Sequence, residues 1–148
     1  MPKTLWDPQA RGELVARLRS LSPDATPRWG KMTAPKMLAH LSDWMAMASG
    51  ELPTKPRKLF LRYTPVKQLA IFWLPFPKGV PTAKELITRE ASDWSVERAA
   101  LCDSIESFEE LHPDGVWPLH PAFGTLTPHA WGVLGYRHTD HHLRQFGV

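Results

Sequence analysis

The sequence contains a single cysteine, Cys102, among its 148 residues. One cysteine excludes an internal disulfide, and a chain without disulfides is typical of a reducing compartment. Long apolar runs are also missing, because the most apolar stretch, residues 69–76, is far too short to cross a bilayer as a helix. The first residues lack the apolar core of a signal peptide. We therefore predict a cytoplasmic protein with no membrane partner.

A strong excess of one charge is missing as well. The chain has 18 Lys and Arg residues against 15 Asp and Glu residues, which gives a formal net charge of +3. Nucleic-acid-binding domains usually gather their basic residues on one stripe, whereas many of the cations here are scattered among carboxylates. The sequence also has no glycine-rich phosphate loop, dinucleotide fingerprint or serine elbow. These absences argue against a nucleic-acid partner and against nucleotide-dependent chemistry.

The sequence does have the composition of a folded domain. Hydrophobic residues make up 43% and charged residues 22%, close to the average globular protein and far from a disordered one. The length is that of one typical domain, so residues 1–148 are predicted to form a single domain. Strand patterns with period two are weak throughout, which favours an all-α fold.

Four segments carry helix signals. The first helix is predicted from the cap Asp7-Pro8 to just before Pro23, and the second from Thr33 to a C-terminal cap at Gly50. The third is expected from Ser92 or Asp93 to about His112, and the fourth from Thr127-Pro128 to Gly147.

The second and third helices are joined by a long, irregular connection, roughly residues 51–91. Residues 59–74 within it can form a further helix interrupted at Pro65, and later prolines, including Pro81, force irregular chain. The basic, aromatic segment from Lys58 to Tyr63, continuing to Phe72-Trp73, allows two interpretations. It can contact a membrane or a partner, or it can be a core or dimer-contact helix, and we favour the second interpretation.

The placement of the histidines is the most informative feature. His138 and His142 are four residues apart on the fourth predicted helix, a spacing that places two imidazoles on one face, where both can bind one ion. His40 lies on the apolar stripe of the second helix, and a metal ion shared with the pair would satisfy all three rings. The alternatives are a core histidine bound to a backbone carbonyl or a buried water, and a surface pair. His141 can also replace His142. The remaining histidines, His112, His120 and His129, are predicted on the surface or in loops, from which His120 can approach the metal.

Two segments resemble a known superfamily. Residues 29–41, WGKMTAPKMLAHL, look like the second-helix entry of the DinB-like (DinB/YfiT-like) superfamily, and residues 138–146, HTDHHLRQF, resemble its last-helix signature. In that signature one histidine precedes another by four residues and a glutamine follows three later, which favours His142 over His141. Residues 120–127, HPAFGTLT, suggest a short branch of the superfamily.

The resemblance implies a four-helix bundle of up-down-down-up type. It also implies one divalent metal held by His40, His138 and His142 at one end of the bundle, with an open coordination position. Nickel or zinc is expected, with iron or copper as alternatives, since three neutral imidazoles accept all four metals with only modest discrimination. Relatives in the superfamily include metal-dependent thiol S-transferases, so the substrate is expected to be a small molecule such as a thiol, and the chain is compatible with a homodimer.

The function predicted from these features is a metal-dependent enzyme of thiol S-transferase or hydrolase type. Hydrolysis normally needs a general base near the metal, and Asp43, three residues after His40, is the one weak candidate. Asp43 can equally be an exposed acid beside the stripe. The alternative function is a non-catalytic, stress-related protein that binds a metal or another ligand.

Overall fold

The computed structural model describes residues 1–79, 84–86 and 89–148. These residues form five α-helices, and no strand is present among them, so the all-α prediction is confirmed. The helices are α1 (Pro8–Ser20), α2 (Ala34–Ser49), α3 (Val66–Phe72), α4 (Trp94–Glu106) and α5 (Pro128–Gln145). Three 3₁₀ turns accompany them: Phe60–Arg62, Lys84–Leu86 and Phe108–Glu110.

Local capping explains where most of the helices begin. The side chains of Asp7, Thr33, Asp93 and Thr127 each accept a hydrogen bond from a backbone N–H in the first turn of the helix that follows. Proline occupies one of the first two helical positions of α1, α2 and α5, where the missing N–H costs nothing. Gly50 ends α2 with a φ of 88°, a conformation that favours glycine.

The predicted end of the third helix is wrong. The α-helix stops at Glu106 instead of continuing to His112, because the chain leaves helical geometry after Ser107 and forms the 3₁₀ turn Phe108–Glu110. This turn places the ring of Phe108 in the core, where it is fully buried. Burial of one large aromatic side chain thus overrides the continuation of the helical pattern.

The packing brings α2 and α5 together. Among the described residues, α1 and α2 each pack against both α4 and α5, and α3 packs against α5. The helices share one hydrophobic cluster whose fully buried side chains include Leu14, Leu18, Leu38, Leu41, Leu101, Ile105 and Trp131. Residues far apart in sequence on α2 and α5 therefore face the same interior.

The long connection holds the third α-helix. As expected, a helix follows Pro65, and α3 buries Ile71. Phe60, Tyr63 and Trp73 are exposed, so these side chains do not belong to the core, and the alternative of a dimer contact stays a prediction. Pro81 lies outside the described residues. In the part of the chain that the structure describes, no helix has both the length and the apolar character needed to cross a membrane.

Two helical glycines provide a matched test of this packing. A Cβ added at Gly135 of α5 would lie 2.6 Å from Leu5 Cδ1 and 2.9 Å from Trp44 Cη2, whereas a Cβ at Gly12 of α1 meets no atom within 4 Å. Gly135→Ala should therefore lower the free energy of unfolding by about 1–3 kcal/mol through overpacking. Gly12→Ala should raise it by about 0.4–1 kcal/mol through higher helix propensity and a less flexible unfolded chain. Urea titrations of both variants check this, and equal effects would contradict the close packing of α5.

Candidate metal centre

Three histidine rings from α2 and α5 meet in the interior. His40, His138 and His142 each offer a ring nitrogen, and these three atoms lie within 4.8 Å of one another. The closest pair is His40 Nε2 and His138 Nε2, separated by 2.9 Å. The rings of His40 and His138 are buried and that of His142 is half-buried. The three residues that the sequence singled out are thus brought together within reach of one metal ion.

Hydrogen bonds fix the protonation of two of the three rings. His40 Nδ1 lies 2.9 Å from the backbone oxygen of Leu86, and His142 Nδ1 lies 2.9 Å from Gln145 Oε1. Both oxygens can only accept, so both Nδ1 atoms carry the proton and donate it. Each Nε2 atom is then an unprotonated nitrogen with a lone pair available to a metal.

Gln145 is itself held in one orientation. Its Nε2 donates to the backbone oxygen of Trp29 at 2.9 Å, which leaves Oε1 facing His142. The next residue, Gly30, has a φ of 75°, and a Cβ there would lie 3.2 Å from Gln145 Nε2. The positive φ favours glycine at this position, and a larger residue would also press on the Gln145 side chain. The glutamine of the last-helix signature thus orients the imidazole of His142.

The surroundings of His138 show whether the cluster suits a bound metal ion. Its Nδ1 is buried and has no hydrogen-bond partner among the described residues, while its Nε2 faces the unprotonated Nε2 of His40. An ion at Nε2 does not satisfy this Nδ1, so the fit rests on the contact between the two Nε2 atoms and on the donor set. A cation bound between the Nε2 atoms would turn a contact between two ring nitrogens into shared coordination. Three neutral imidazoles are also a donor set suited to a divalent transition metal.

The environment keeps these rings neutral. Burial lowers the pKa of His40. Burial, with the neighbouring His40 as a second cause, lowers the pKa of His142 to about 3. The pKa of His138 lies well below its ordinary value, chiefly because of burial and also because of the nearby histidines. Metals bind neutral imidazole, so the site is ready for an ion at neutral pH.

No fourth protein ligand joins the cluster. Among the described residues, no cysteine, aspartate, glutamate or other histidine completes a metal-binding group with the triad. The residues outside the described ranges, 80–83 and 87–88, contain none of these residue types. Three protein ligands with the fourth position left to water or substrate are typical of catalytic metal sites, whereas structural sites usually have four.

The other histidines lie outside the triad. His141 is half-buried between the rings of Trp29 and Phe76, at centroid distances of 5.4 and 5.5 Å, so it does not take the place of His142. His129 is exposed, as predicted. His112 is half-buried at the end of α2, where its Nε2 lies 2.8 Å from the backbone oxygen of Ala48.

His120 lies in a loop, as predicted, but its side chain is buried against Trp131, and among the described residues it does not join the metal-binding group. Its Nδ1 accepts hydrogen bonds from the backbone N–H groups of Ala122 and Phe123. Burial lowers the pKa of His120 to about 3. His120 therefore acts as a structural residue that organises the turn before α5.

Asp43 is paired with a cation. Its Oδ1 accepts a hydrogen bond from Arg89 Nε at 2.9 Å, and Arg89 also contacts Glu97 at 2.5 Å. The hydrogen bond from Arg89 is the main reason that the pKa of Glu97 falls to about 2, and the two carboxylates raise the pKa of Arg89. Nothing in the sequence pointed to Arg89, because it lies in the irregular connection and its partners come from α2 and α4.

A cavity of about 230 Å³ adjoins the triad. It is lined by Met32, Lys36, His40, Leu86 and Arg89. On the other side of the cluster, Trp44 and Phe76 pack on the ring of His138 at centroid distances of 5.6 and 6.0 Å. Trp44 of α2 and residues of the long connection thus surround the cluster. Trp131 lies one ring further away, packed on Trp44.

Fold and site together define an all-helical protein whose interior contains a three-histidine cluster able to hold a metal ion. The chain belongs to the family described as "Protein of unknown function (DUF1569)", which matches residues 7–147. No curated protein and no solved structure matches the chain.

The buried His120 generates a prediction about pH. Its pKa of about 3 in the folded state lies below the value of about 6.5 in an unfolded chain, so the unfolded state binds the proton more readily. The resulting stability is present above pH 6.5 and is lost as the pH falls toward 3. Between pH 7 and pH 5 the loss from this residue should be about 2 kcal/mol. Urea titrations with a chelator present should show a smaller loss, by that amount, for His120→Gln. An identical pH dependence would contradict the assignment.

Proposed function

We propose that this DUF1569 protein is a metal-dependent enzyme of the DinB-like kind. One divalent ion is held by His40, His138 and His142, and the open position binds a small-molecule substrate. The observation that carries the proposal is the convergence of three neutral ring nitrogens within 4.8 Å with no fourth protein ligand among the described residues. Nickel or zinc is the expected metal, with iron or copper as the other candidates.

The helix packing supports the bundle that this proposal requires. Helices α1, α2, α4 and α5 act as the four bundle helices, because each packs against two of the others. In an up-down-down-up bundle the second and third helices run parallel, so a long connection must cross from one end to the other. Residues 50–93 provide that length between α2 and α4. Helix α3 is then an addition that covers α5 from outside.

The chain's own residues suit activation of a substrate at the cluster. A bound divalent ion would supply Lewis-acid chemistry, which lowers the pKa of a coordinated thiol or water. Leu86 and Gln145 orient the rings of His40 and His142 toward one point. Trp44 and Phe76 cover His138 and keep bulk water from that side. The substrate can approach from the cavity beside His40.

Thiol transfer suits the site better than hydrolysis. Hydrolysis requires a general base that can take a proton from water. The candidate base, Asp43, is already engaged with Arg89, whose other partner is Glu97. A thiol needs less help, because its pKa is near 8.5 before any metal binds it. The proposed reaction is therefore transfer of a small thiol to an electrophilic substrate. The sulfur bonds to the electrophilic carbon, the substrate's leaving group departs with the bonding electron pair, and the thiol proton passes to solvent.

Metal binding by purified variants tests the site. The wild type should bind close to one divalent ion per chain, and His142→Ala should lose most of it because two imidazoles hold an ion far less tightly than three. Gln145→Leu keeps the three ligands but removes the acceptor of His142 Nδ1, so its metal affinity should fall about 10- to 100-fold. Elemental analysis after dialysis and competition with a chelating dye measure both effects.

His129→Ala and His141→Ala are the matched controls for this series. Each removes one imidazole from α5 outside the cluster, and both variants should keep the metal of the wild type. Equal metal content in His142→Ala and His129→Ala would refute the triad. Loss of metal in His141→Ala together with retention in His142→Ala would show that His141 is the ligand instead.

Activity tests the chemistry separately. Metal-loaded protein should consume small thiols in the presence of electrophilic acceptors, and the rate should fall to background in His40→Ala even where circular dichroism shows an intact fold. His129→Ala should retain the wild-type rate. If metal-loaded protein transfers no thiol and hydrolyses no ester, a non-catalytic metal-binding role replaces the enzyme. Stoichiometric metal binding would remain valid in that case.

A further inference from the structure

An exposed apolar surface lies on the far side of α3 from the core. The side chains of Phe60, Tyr63 and Trp73 are 70%, 71% and 76% exposed, and Leu69 and Leu74 are also exposed. Large exposed side chains scattered singly need no explanation, but five within fifteen residues form a concentrated patch. We call the surface formed by the exposed side chains of residues 58–74 the outer face of α3.

The orientation of helix α3 on the protein directs this face outward. Leu69 and Trp73 are four residues apart, and the N–H of Trp73 donates to the backbone oxygen of Leu69, so the two side chains lie on one side of the turn. Ile71, on the opposite side, is buried. Arg137 of α5 donates to the backbone oxygens of Ala70, Ile71 and Leu74 and fixes the end of α3 on the body of the protein. The face is therefore held in place.

The segment that carries this face is rich in basic residues, although the Glu85 carboxylate lies beside Lys55 and Arg57. Residues 52–84 contain seven of the chain's 18 Lys and Arg residues and none of its 15 Asp and Glu residues; the seven are Lys55, Arg57, Lys58, Arg62, Lys67, Lys78 and Lys84. Within the described part of the chain, Lys58, Arg62 and Lys67 form no ion pair with a carboxylate. The local excess of positive charge calls for an anionic partner and revises the expectation that the cations are merely scattered.

The exposed apolar side chains and the cations together indicate which partner the outer face of α3 binds: a second copy of the chain, a nucleic acid or a lipid bilayer. A symmetric dimer places one patch against itself, and here that would bring Lys58, Arg62 and Lys67, which form no ion pair among the described residues, toward the same three cations of a second copy. Nucleic acids accept stacked aromatic rings and cations, but they have no place for Leu69 and Leu74. The interface of a lipid bilayer accepts all of these groups: Trp and Tyr at the level of the headgroups, Leu and Phe below them, and Lys and Arg on anionic lipids.

We propose that the outer face of α3 binds the surface of an anionic lipid bilayer. The protein lies on the membrane with α3 parallel to the surface and does not span it. This assignment takes up the membrane-contact interpretation of the basic, aromatic segment, which was the less favoured of the two, and it replaces the expectation of no membrane partner. It is independent of the metal centre, since none of the residues of the face is a ligand.

Vesicle sedimentation tests the proposal with the full-length protein. Binding should be strong to vesicles made of equal parts phosphatidylcholine and phosphatidylserine, weak to phosphatidylcholine alone, and reduced by added salt. Lys58→Gln should weaken binding about fivefold, since each basic residue near an anionic surface contributes about 1 kcal/mol. Trp73→Ser should weaken it about tenfold or more through lost apolar burial.

Matched controls come from helices that do not contact α3 within the described residues. Arg19→Gln at the end of α1 also removes one exposed cation, and Val96→Ser in α4 removes an exposed apolar side chain. Both variants should bind vesicles like the wild type. Circular dichroism of all four variants should match the wild type, because the replaced side chains are largely exposed.

Several results would overturn the proposal. Equal binding to neutral and anionic vesicles, no binding to either, or equal losses in the controls and the α3 variants would each contradict it. Sedimentation velocity that shows a dimer in the wild type and a monomer in Trp73→Ser, without vesicle binding, would assign the face to a second copy. Binding of a single-stranded oligonucleotide in the absence of vesicle binding would assign it to nucleic acid.

Discussion

Burial of three neutral imidazoles at one point is the constraint on which the rest of the site depends. A buried imidazole must satisfy both ring nitrogens or lose free energy of about 1–3 kcal/mol for each group left without a partner. In His40 and His142 one of the two ring nitrogens is satisfied, because each Nδ1 donates to an oxygen of a residue that is not a metal ligand. Among the described residues, the three Nε2 atoms lie near one another and have no oxygen acceptor or donor of their own. A shared cation is the arrangement that uses all three at once.

Those acceptors explain features of the chain that have no other evident purpose. The 3₁₀ turn Lys84–Leu86 packs on α2 and places the Leu86 oxygen against His40. The loop before α2 places the Trp29 oxygen against Gln145, next to Gly30, whose positive φ favours glycine. The backbone N–H of Arg28 also donates to the backbone oxygen of Gln145, which ties the same loop to the end of α5. Irregular segments on both sides of α2 thus position the ligands of two regular helices.

The parts of this structure that the sequence predicts are those governed by local rules. Thr33, Thr127 and Gly50 determine helix ends through contacts within a few residues, so the starts of α2 and α5 and the end of α2 could be predicted. The spacing of His138 and His142 is equally local. Among residues that act across the fold, His40 was recognised from its place on the apolar stripe of α2, but several others gave no such signal.

The missed residues share that dependence on distant partners. His120 is buried because Trp131 covers it, and Arg89 has carboxylates on two different helices. Phe108 interrupts a helical pattern because the core has room for its ring. The core interpretation of the α3 segment failed for the converse reason. Its apolar residues suggested burial, but Ile71 is the one buried residue of α3.

The polar side chains in the C-terminal half of α5 contact other parts of the protein, which distinguishes this half of the helix from a face that is exposed to water. Arg137 donates to the end of α3, and Asp140 accepts from Arg17 of α1 at 2.7 Å. His138 lies with His40, and His142 lies against Gln145. A surface pair of histidines would stand among side chains directed at water, whereas successive polar residues here contact α1, α2, α3 and the loop before α2. The C-terminal half of α5 is polar because its side chains contact α1, α2, α3 and the loop before α2. The histidine cluster lies among these contacts.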